Sequence, residues 1–226
     1  MVFCVPGREF SGRFLDCWTA LISGCGKLGI EFSVSREYDP VVYFARNKVA
    51  GGDVRRGKKQ VPWDGKVPYD FMLWIDSDVV FRVEDVVELL KCNADIVSGL
   101  YLMQGGRSFA AVEHLDEEVF QRGGRFDFLT PEQVANRDVF EVGYAGFGFT
   151  MIKHGVFERL EYPWFRPIFM QMGDCFDFTG EDVGFCMQAK KAGIKVLVNP
   201  KVIVGHEKFV VLRPPAAASP EPPKAP

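Results

Sequence analysis

The chain has 226 residues, of which 47% are hydrophobic, enough for one domain with a full core and too apolar for a disordered segment. Its formal net charge of −3 lacks the basic footprint of a nucleic-acid binder, so nucleic acid is not expected as a partner. No apolar run is long enough to cross a bilayer, and the apolar start Met1-Val2-Phe3-Cys4-Val5-Pro6 is too short for a signal peptide.

In chain order, Val2 to Val5 reads as a strand closed by Pro6-Gly7. Ser11 is a candidate cap for a helix through Phe14, Leu15, Trp18, Leu21 and Ile22, ended by Gly24 to Gly29. Ile30 to Val34 alternates as a second strand, and a second helix over Val41 to Ala50 carries Arg46 and Asn47. Gly51 to Lys66 is rich in Gly, Arg and Lys and reads as a loop. Phe71 to Ile75 is a buried strand, Val83 to Lys91 a helix and Ala94 to Leu100 a strand, an alternation that predicts a mostly parallel α/β sheet.

Gln104 to Arg137 breaks this rhythm and reads as a hairpin or loop insertion, with short pieces at Phe109 to Val112 and Gly124 to Leu129. Val139 to Ile152 is apolar with Gly143, Gly146 and Gly148 spaced through it. A helix opens at Gly180-Glu181-Asp182 and runs through Ala192 to Gly193. Two strands, Ile194 to Val198 and Lys201 to Val204, flank Asn199-Pro200 and lead to Gly205-His206. From residue 213 the chain turns Pro- and Ala-rich, which reads as a linker (213–226) after a single domain (1–212), leading to further domains of a longer polypeptide, with a simple frayed tail as the equal alternative. The six cysteines contain no Cys-x-x-Cys pair and several lie in apolar runs, so they are expected as buried free thiols of a reducing, cytoplasmic compartment.

The most informative feature is Asp76-Ser77-Asp78 at the end of the third strand. Paired carboxylates at the end of a buried strand are costly unless a cation uses them, and hard divalent cations prefer oxygen ligands. Ligands of open α/β sheets sit beyond the carboxyl ends of the strands. These residues predict a Mn²⁺ or Mg²⁺ site for a phosphorylated ligand; two solvated aspartates in a turn are the plainer alternative. Glu181 and Asp182 suit a helix start, where backbone N–H groups and the helix dipole favour carboxylates. His206 follows a late strand and a glycine, where it could approach the aspartates, although a lone histidine is more often structural than a ligand. The basic run Arg55, Arg56, Lys58 and Lys59 is better read as a solvated face than as a cover for phosphates.

In order along the chain, Ala45-Arg46-Asn47, Phe71 through Asp78, Gly143 through Thr150, Gly180-Glu181-Asp182 and Val204-Gly205-His206 resemble the motifs of nucleotide-sugar glycosyltransferases with the GT-A fold, family-2-like members with an Asp-x-Asp motif. The resemblance covers about residues 1 to 208. It extends to the first domain of multidomain chlorella-virus glycosyltransferases. It implies a Rossmann-like, mostly parallel sheet flanked by helices with a small antiparallel insertion, and transfer of a sugar from a UDP-sugar to a glycan or glycoprotein hydroxyl. It implies that Asp76, Asp78 and His206 bind Mn²⁺ or Mg²⁺, and that Pro6, Gly7, Arg8, Arg46 and Ser77 line the donor pocket. Gly146 would allow close approach of the sugar, and Asp182 or Glu181 would serve as base or orient the sugar, with inversion and retention both open. Asp76-Ser77-Asp78-Val79-Val80 also matches haloacid-dehalogenase-like phosphatases, although those place the motif on their first strand. A non-catalytic nucleotide-sugar binding module is the remaining alternative.

Overall fold

The computed structural model describes residues 1–209; the Pro-rich segment 213–226 lies outside the described residues. Strand β1 (Val2–Cys4) is wholly buried. Helix α1 (Gly12–Leu28) starts where Ser11 Oγ accepts the Phe14 N–H, and it continues through Gly24 and Gly26 to end at Gly29. Its buried side is Phe14, Leu21 and Cys25, while Leu15 faces solvent. β2 (Ser33–Ser35) is shorter and later than Ile30 to Val34, because only these residues pair with β1. α2 spans Val42–Val49, and 51–66 forms two short helical turns around the buried Gln60, which bonds Asp53 and Gly57. β3 (Phe71–Ile75), β4 (Val79–Val80), α3 (Val83–Cys92) and β5 (Ile96–Leu100) follow as the sequence predicts, except for the short β4.

The insertion holds β6 (Ala111–Val112), α4 (Glu117–Gly123) and α5 (Pro131–Val134). The sequence reading missed α4, and Gly124 to Leu129 is not a strand. Asp116 accepts the Val119 N–H, Glu117 and Glu118 fill the first turn, and Gly124 closes the helix, a full set of helix signals. Then come β7 (Phe140–Val142), β8 (Tyr144–Ala145), β9 (Phe149–Lys153), β10 (Phe169–Met172), β11 (Cys175–Phe178) and α6 (Glu181–Lys191). The two strands predicted around Asn199-Pro200 are one, β12 (Val196–Ile203), whose register against β5 shifts between Val198 and Ile203. Pro200 has no N–H to give a ladder, and the shift accommodates it. β13 is Gly205–His206.

The main sheet has the order β2-β1-β3-β9-β5-β12-β7. Strands β2, β1, β3, β5 and β12 run one way, with β9 antiparallel between β3 and β5 and β7 antiparallel at the edge. Alternate residues of the inner strands feed two cores, Val2, Cys4, Met72 and Trp74 on one side and Phe3, Val5, Leu73 and Ile75 on the other. Burial on both faces is why these strands read as continuous apolar runs. Many of the phenylalanines form the core: Phe147, Phe157, Phe165 and Phe185 cluster around Trp74, with the Phe147 and Phe185 rings 4.8 Å apart. All six cysteines are free; Cys4, Cys25 and Cys186 are buried and Cys17, Cys92 and Cys175 half-buried. No helix among the described residues is long and apolar enough to cross a membrane.

Candidate active site

The parallel strands bring their carboxyl ends to one side of the sheet. There β1 gives way to Pro6-Gly7-Arg8 and β3 to Asp76-Ser77-Asp78. The two turns touch: a Cβ on Gly7, whose φ is +152°, would stand 2.8 Å from Ser77 Cβ, so only glycine fits there. A cleft of about 260 Å³ lies between them, walled by Pro6, Gly7, Tyr38, Asp39, Ser77 and the two aspartates. A neighbouring recess of about 490 Å³ adds Arg8, Ser11 and Glu207. Arg8 extends over the Tyr38 ring, its guanidinium carbon 5.9 Å from the centroid.

The β13–β4 pair sets His206 opposite Val79, which delivers the imidazole to the aspartate turn. His206 Nε2 lies 3.1 Å from Asp78 Oδ2, and Nδ1 lies 2.8 Å from the Leu102 carbonyl oxygen. A carbonyl can only accept, so Nδ1 carries a proton and a neutral ring presents its Nε2 lone pair to a carboxylate that also only accepts. A proton or a metal ion between them resolves that clash. The backbone carbonyl on Nδ1 is also the usual support of a metal-ligating histidine. Lys208 Nζ stands 2.8 Å from the same Asp78 oxygen and gives this carboxylate a cationic partner within the chain. Asp78 and His206 therefore fit a hard divalent ion as a two-ligand set, the mode in which Mg²⁺ keeps waters and substrate phosphates as its other ligands. Among the described residues no three His, Cys, Asp or Glu side chains gather tightly enough to hold a metal by themselves.

Asp76 has a partner within the chain that the sequence did not indicate. Arg46, only 4% exposed on its side chain, donates from Nη2 to Asp76 Oδ2 at 3.0 Å and from Nε to Glu181 Oε1 at 3.1 Å. It joins the Asp-x-Asp turn to the start of α6. Burial works against its charge, but the two carboxylates outweigh burial and raise its pKa above the ordinary value. Trp74 and Phe147 lie against the guanidinium, 5.9 and 5.6 Å from ring centroid to the guanidinium carbon. Arg46 Nη1 is buried without a hydrogen-bond partner among the described residues. Its neighbour Asn47 is structural, bonding the Tyr43 carbonyl and both backbone groups of Phe165.

Asp182 sits beside this bridge. Its Oδ1 accepts the Val183 N–H at 2.8 Å and its Oδ2 accepts the Tyr144 hydroxyl at 3.0 Å. Burial, reinforced by the charge of Glu181, lifts the Asp182 pKa to about 6 against the pull of the Val183 N–H, Arg46 and Tyr144. A carboxylate near that value is ionised at neutral pH and basic enough to take a proton in a reaction.

Gly146 does not take the expected place. It is buried, and a Cβ there would stand 2.1 Å from Tyr101 Oη. The close approach is to a tyrosine rather than a ligand. Tyr101 in turn packs edge-on against His206 at 5.0 Å and accepts the Gly148 N–H at 3.3 Å. Gly146→Ala is expected to cost about 1–3 kcal/mol by overpacking, because the added Cβ would push Tyr101 toward His206. Thermal melts check this; an unchanged melting temperature would contradict it.

Sequence reasoning also missed Tyr38, Asp39, Tyr144 and Lys208. Tyr38 and Asp39 follow the end of β2, so the strand-end rule could have found them. Tyr144 lay inside a segment read for its glycines. Most of the basic run is paired with acids, Arg55 with Asp53, Arg56 with Asp64 and Lys58 with Glu161; Arg55 and Lys58 are exposed, whereas Arg56 is half-buried and also donates to the Gly51 carbonyl.

No family model matches the chain, and no curated protein matches it in sequence. Among solved structures, A197 from STIV superposes with a TM-score of 0.51 at 18% identity, covering 94% of this chain and 96% of that one. GalNAc-T7, solved with UDP, GalNAc and Mn²⁺, superposes with a TM-score of 0.50 at 16% identity, covering 90% of this chain but only 37% of that one. At such identities the likeness is one of fold. Together with the sheet order and the position of the Asp-x-Asp turn, it makes this a GT-A-like α/β domain.

Proposed function

We propose that the protein is a metal-dependent glycosyltransferase that moves a sugar from a UDP-sugar to a hydroxyl of a glycan or glycoprotein. The observation that carries the reading is the junction of three pieces of chain at one end of the sheet: Asp78 against His206, Arg46 spanning Asp76 and Glu181, and Asp182 beside them with its raised pKa.

In this reading the cleft between Pro6-Gly7 and Ser77 receives the nucleotide, with the exposed Tyr38 ring as a stacking surface for the base. Asp78 and His206 would hold Mn²⁺ or Mg²⁺, which when bound would supply positive charge to offset the negative charge that develops on the departing diphosphate. Asp76 is kept in place by Arg46 and faces the same region. Glu181 shares Oε1 with Arg46, and the raised pKa of Asp182 makes Asp182 the better carboxylate to take the proton of the acceptor hydroxyl in an inverting transfer. Tyr144 and the Val183 N–H fix its orientation.

Asp78→Ala tests the metal assignment. It is expected to abolish Mn²⁺-dependent UDP binding while leaving the melting temperature near that of the unaltered protein, because relief of negative charge beside Asp76 offsets the loss of the partly exposed contacts to Lys208 and His206. Calorimetry with UDP in the presence and absence of Mn²⁺ reads the effect, and UDP is expected to bind more tightly than GDP. Unchanged Mn²⁺-dependent affinity in the variant would remove Asp78 from the metal site.

A further inference from the structure

The β10–β11 hairpin stands apart from the core in one respect: its large aromatic side chains point outward. Phe169 pairs with Phe178 and Gln171 with Phe176 across the two strands, so these four share one face, and Met170 is buried on the other. Phe169, Phe176 and Phe178 are 58%, 62% and 66% exposed. Their rings form a continuous surface, Phe169 stacked on Phe176 at 6.2 Å and edge-on to Phe178 at 5.7 Å.

This face is tied to the catalytic end of the domain. The Ile168 N–H donates to Thr179 Oγ1 at 2.9 Å and the Thr179 N–H to the Ile168 carbonyl at 3.0 Å, closing the root of the hairpin. Phe178 precedes Asp182 by only four residues, a span of at most about 14 Å. The cleft at the ends of β1 and β3 is lined by no residue of this hairpin.

We propose that this face is an acceptor subsite that stacks the pyranose rings of a neutral glycan beside Asp182. The inference rests on the glycosyltransferase reading for the location of the reaction. A pyranose ring presents a face of C–H groups with slight positive charge, and an aromatic ring presents a face of slight negative charge. The hydroxyls at the sugar's edge remain free to meet polar groups such as the Gln171 amide. Three half-exposed phenyl rings offer roughly 300–400 Å² of apolar surface. That is the footprint of one or two sugar rings, and it falls short of the ~800 Å² per partner that a stable contact between protein copies buries. Residues 169–178 carry Asp174 and Asp177 and no Lys or Arg, which disfavours an anionic membrane or an acidic glycan.

The test is an array of neutral oligosaccharides (cello-, xylo-, chito- and maltohexaose) probed with the full chain and with Phe176→Ser, Phe178→Ser and Phe178→Trp. The full chain is expected to bind at least one of them. The two serine variants should lose about tenfold or more in affinity, the scale of an aromatic contact, and the tryptophan variant should retain it. UDP–Mn²⁺ binding should be equal in all four proteins. No binding to any of the oligosaccharides, or equal binding by all four proteins, would overturn the proposal. So would a shift from dimer to monomer in the serine variants, or their loss of binding to phosphatidylcholine vesicles. Failure of UDP–Mn²⁺ binding in the full chain overturns the donor reading instead, and oligosaccharide binding then still supports the platform.

Discussion

Asp182→Asn is expected to slow sugar transfer at least about a hundredfold, the lower range of what a general base contributes, with UDP–Mn²⁺ binding unchanged. Asparagine keeps an oxygen for the Val183 N–H and a polar partner for Tyr144 but cannot take the acceptor proton. The pH dependence follows from the same group. With the Asp182 pKa at about 6, transfer by the unaltered protein should fall roughly tenfold per pH unit below that value, and the variant should lose this limb of the profile. The sign for stability is the reverse. A carboxyl whose folded pKa is raised contributes stability that is full below its unfolded value of about 3.9 and is lost as the pH rises through about 6. At neutral pH Asp182 is therefore a burden on the fold, and its replacement should leave the melting temperature equal or higher. Transfer at the normal rate by both Asp182→Asn and Glu181→Gln would show that the pair is structural.

Arg46→Met should have the largest effect on stability. It leaves Asp76 and Glu181 without their shared cation, with side chains only 28% and 12% exposed. Removing one partner of a buried ion pair costs about 3–5 kcal/mol, and the partial exposure of Asp76 places the expectation near 3. For a domain of this size that is a drop of roughly 6–12 °C in melting temperature. Arg46→Lys should recover only part of it, because one ammonium cannot present two fixed donors to carboxylates on different elements. Adding Asp76→Asn and Glu181→Gln to Arg46→Met should restore much of the loss, since the uncompensated charges are then gone. A melt within about 2 °C of the unaltered protein for Arg46→Met would contradict the bridge.

The framework of the domain was legible because its inner strands are buried on both faces and its helices carry explicit ends. Ser11 capping α1 and Gly180 before Glu181 are such signals. Asp76-Ser77-Asp78 was legible for a physical reason: acids at the end of an apolar strand demand an explanation. The Asp78–His206 contact could be anticipated from strand order, but what fixes it is the pairing of β13 with β4, two-residue strands too short to carry a pattern of their own. The Arg46 bridge was beyond the sequence. Its partners lie 30 and 135 positions away, and nothing local distinguishes a buried bridging arginine from one near a phosphate. Gly146 misled because a glycine required by a neighbouring Tyr101 looks the same in sequence as one required by a ligand. The β10–β11 hairpin escaped because its alternation is inverted, aromatic outward and Met170 inward.

The most direct test of the account is phosphorus NMR of UDP-sugars incubated with the protein and Mn²⁺, with and without a glycan acceptor. Transfer releases UDP, faster with acceptor than with water alone, and Asp78→Ala should release none. Appearance of inorganic phosphate, or an unchanged spectrum for every UDP-sugar and acceptor offered, would contradict the assignment of this site to glycosyl transfer.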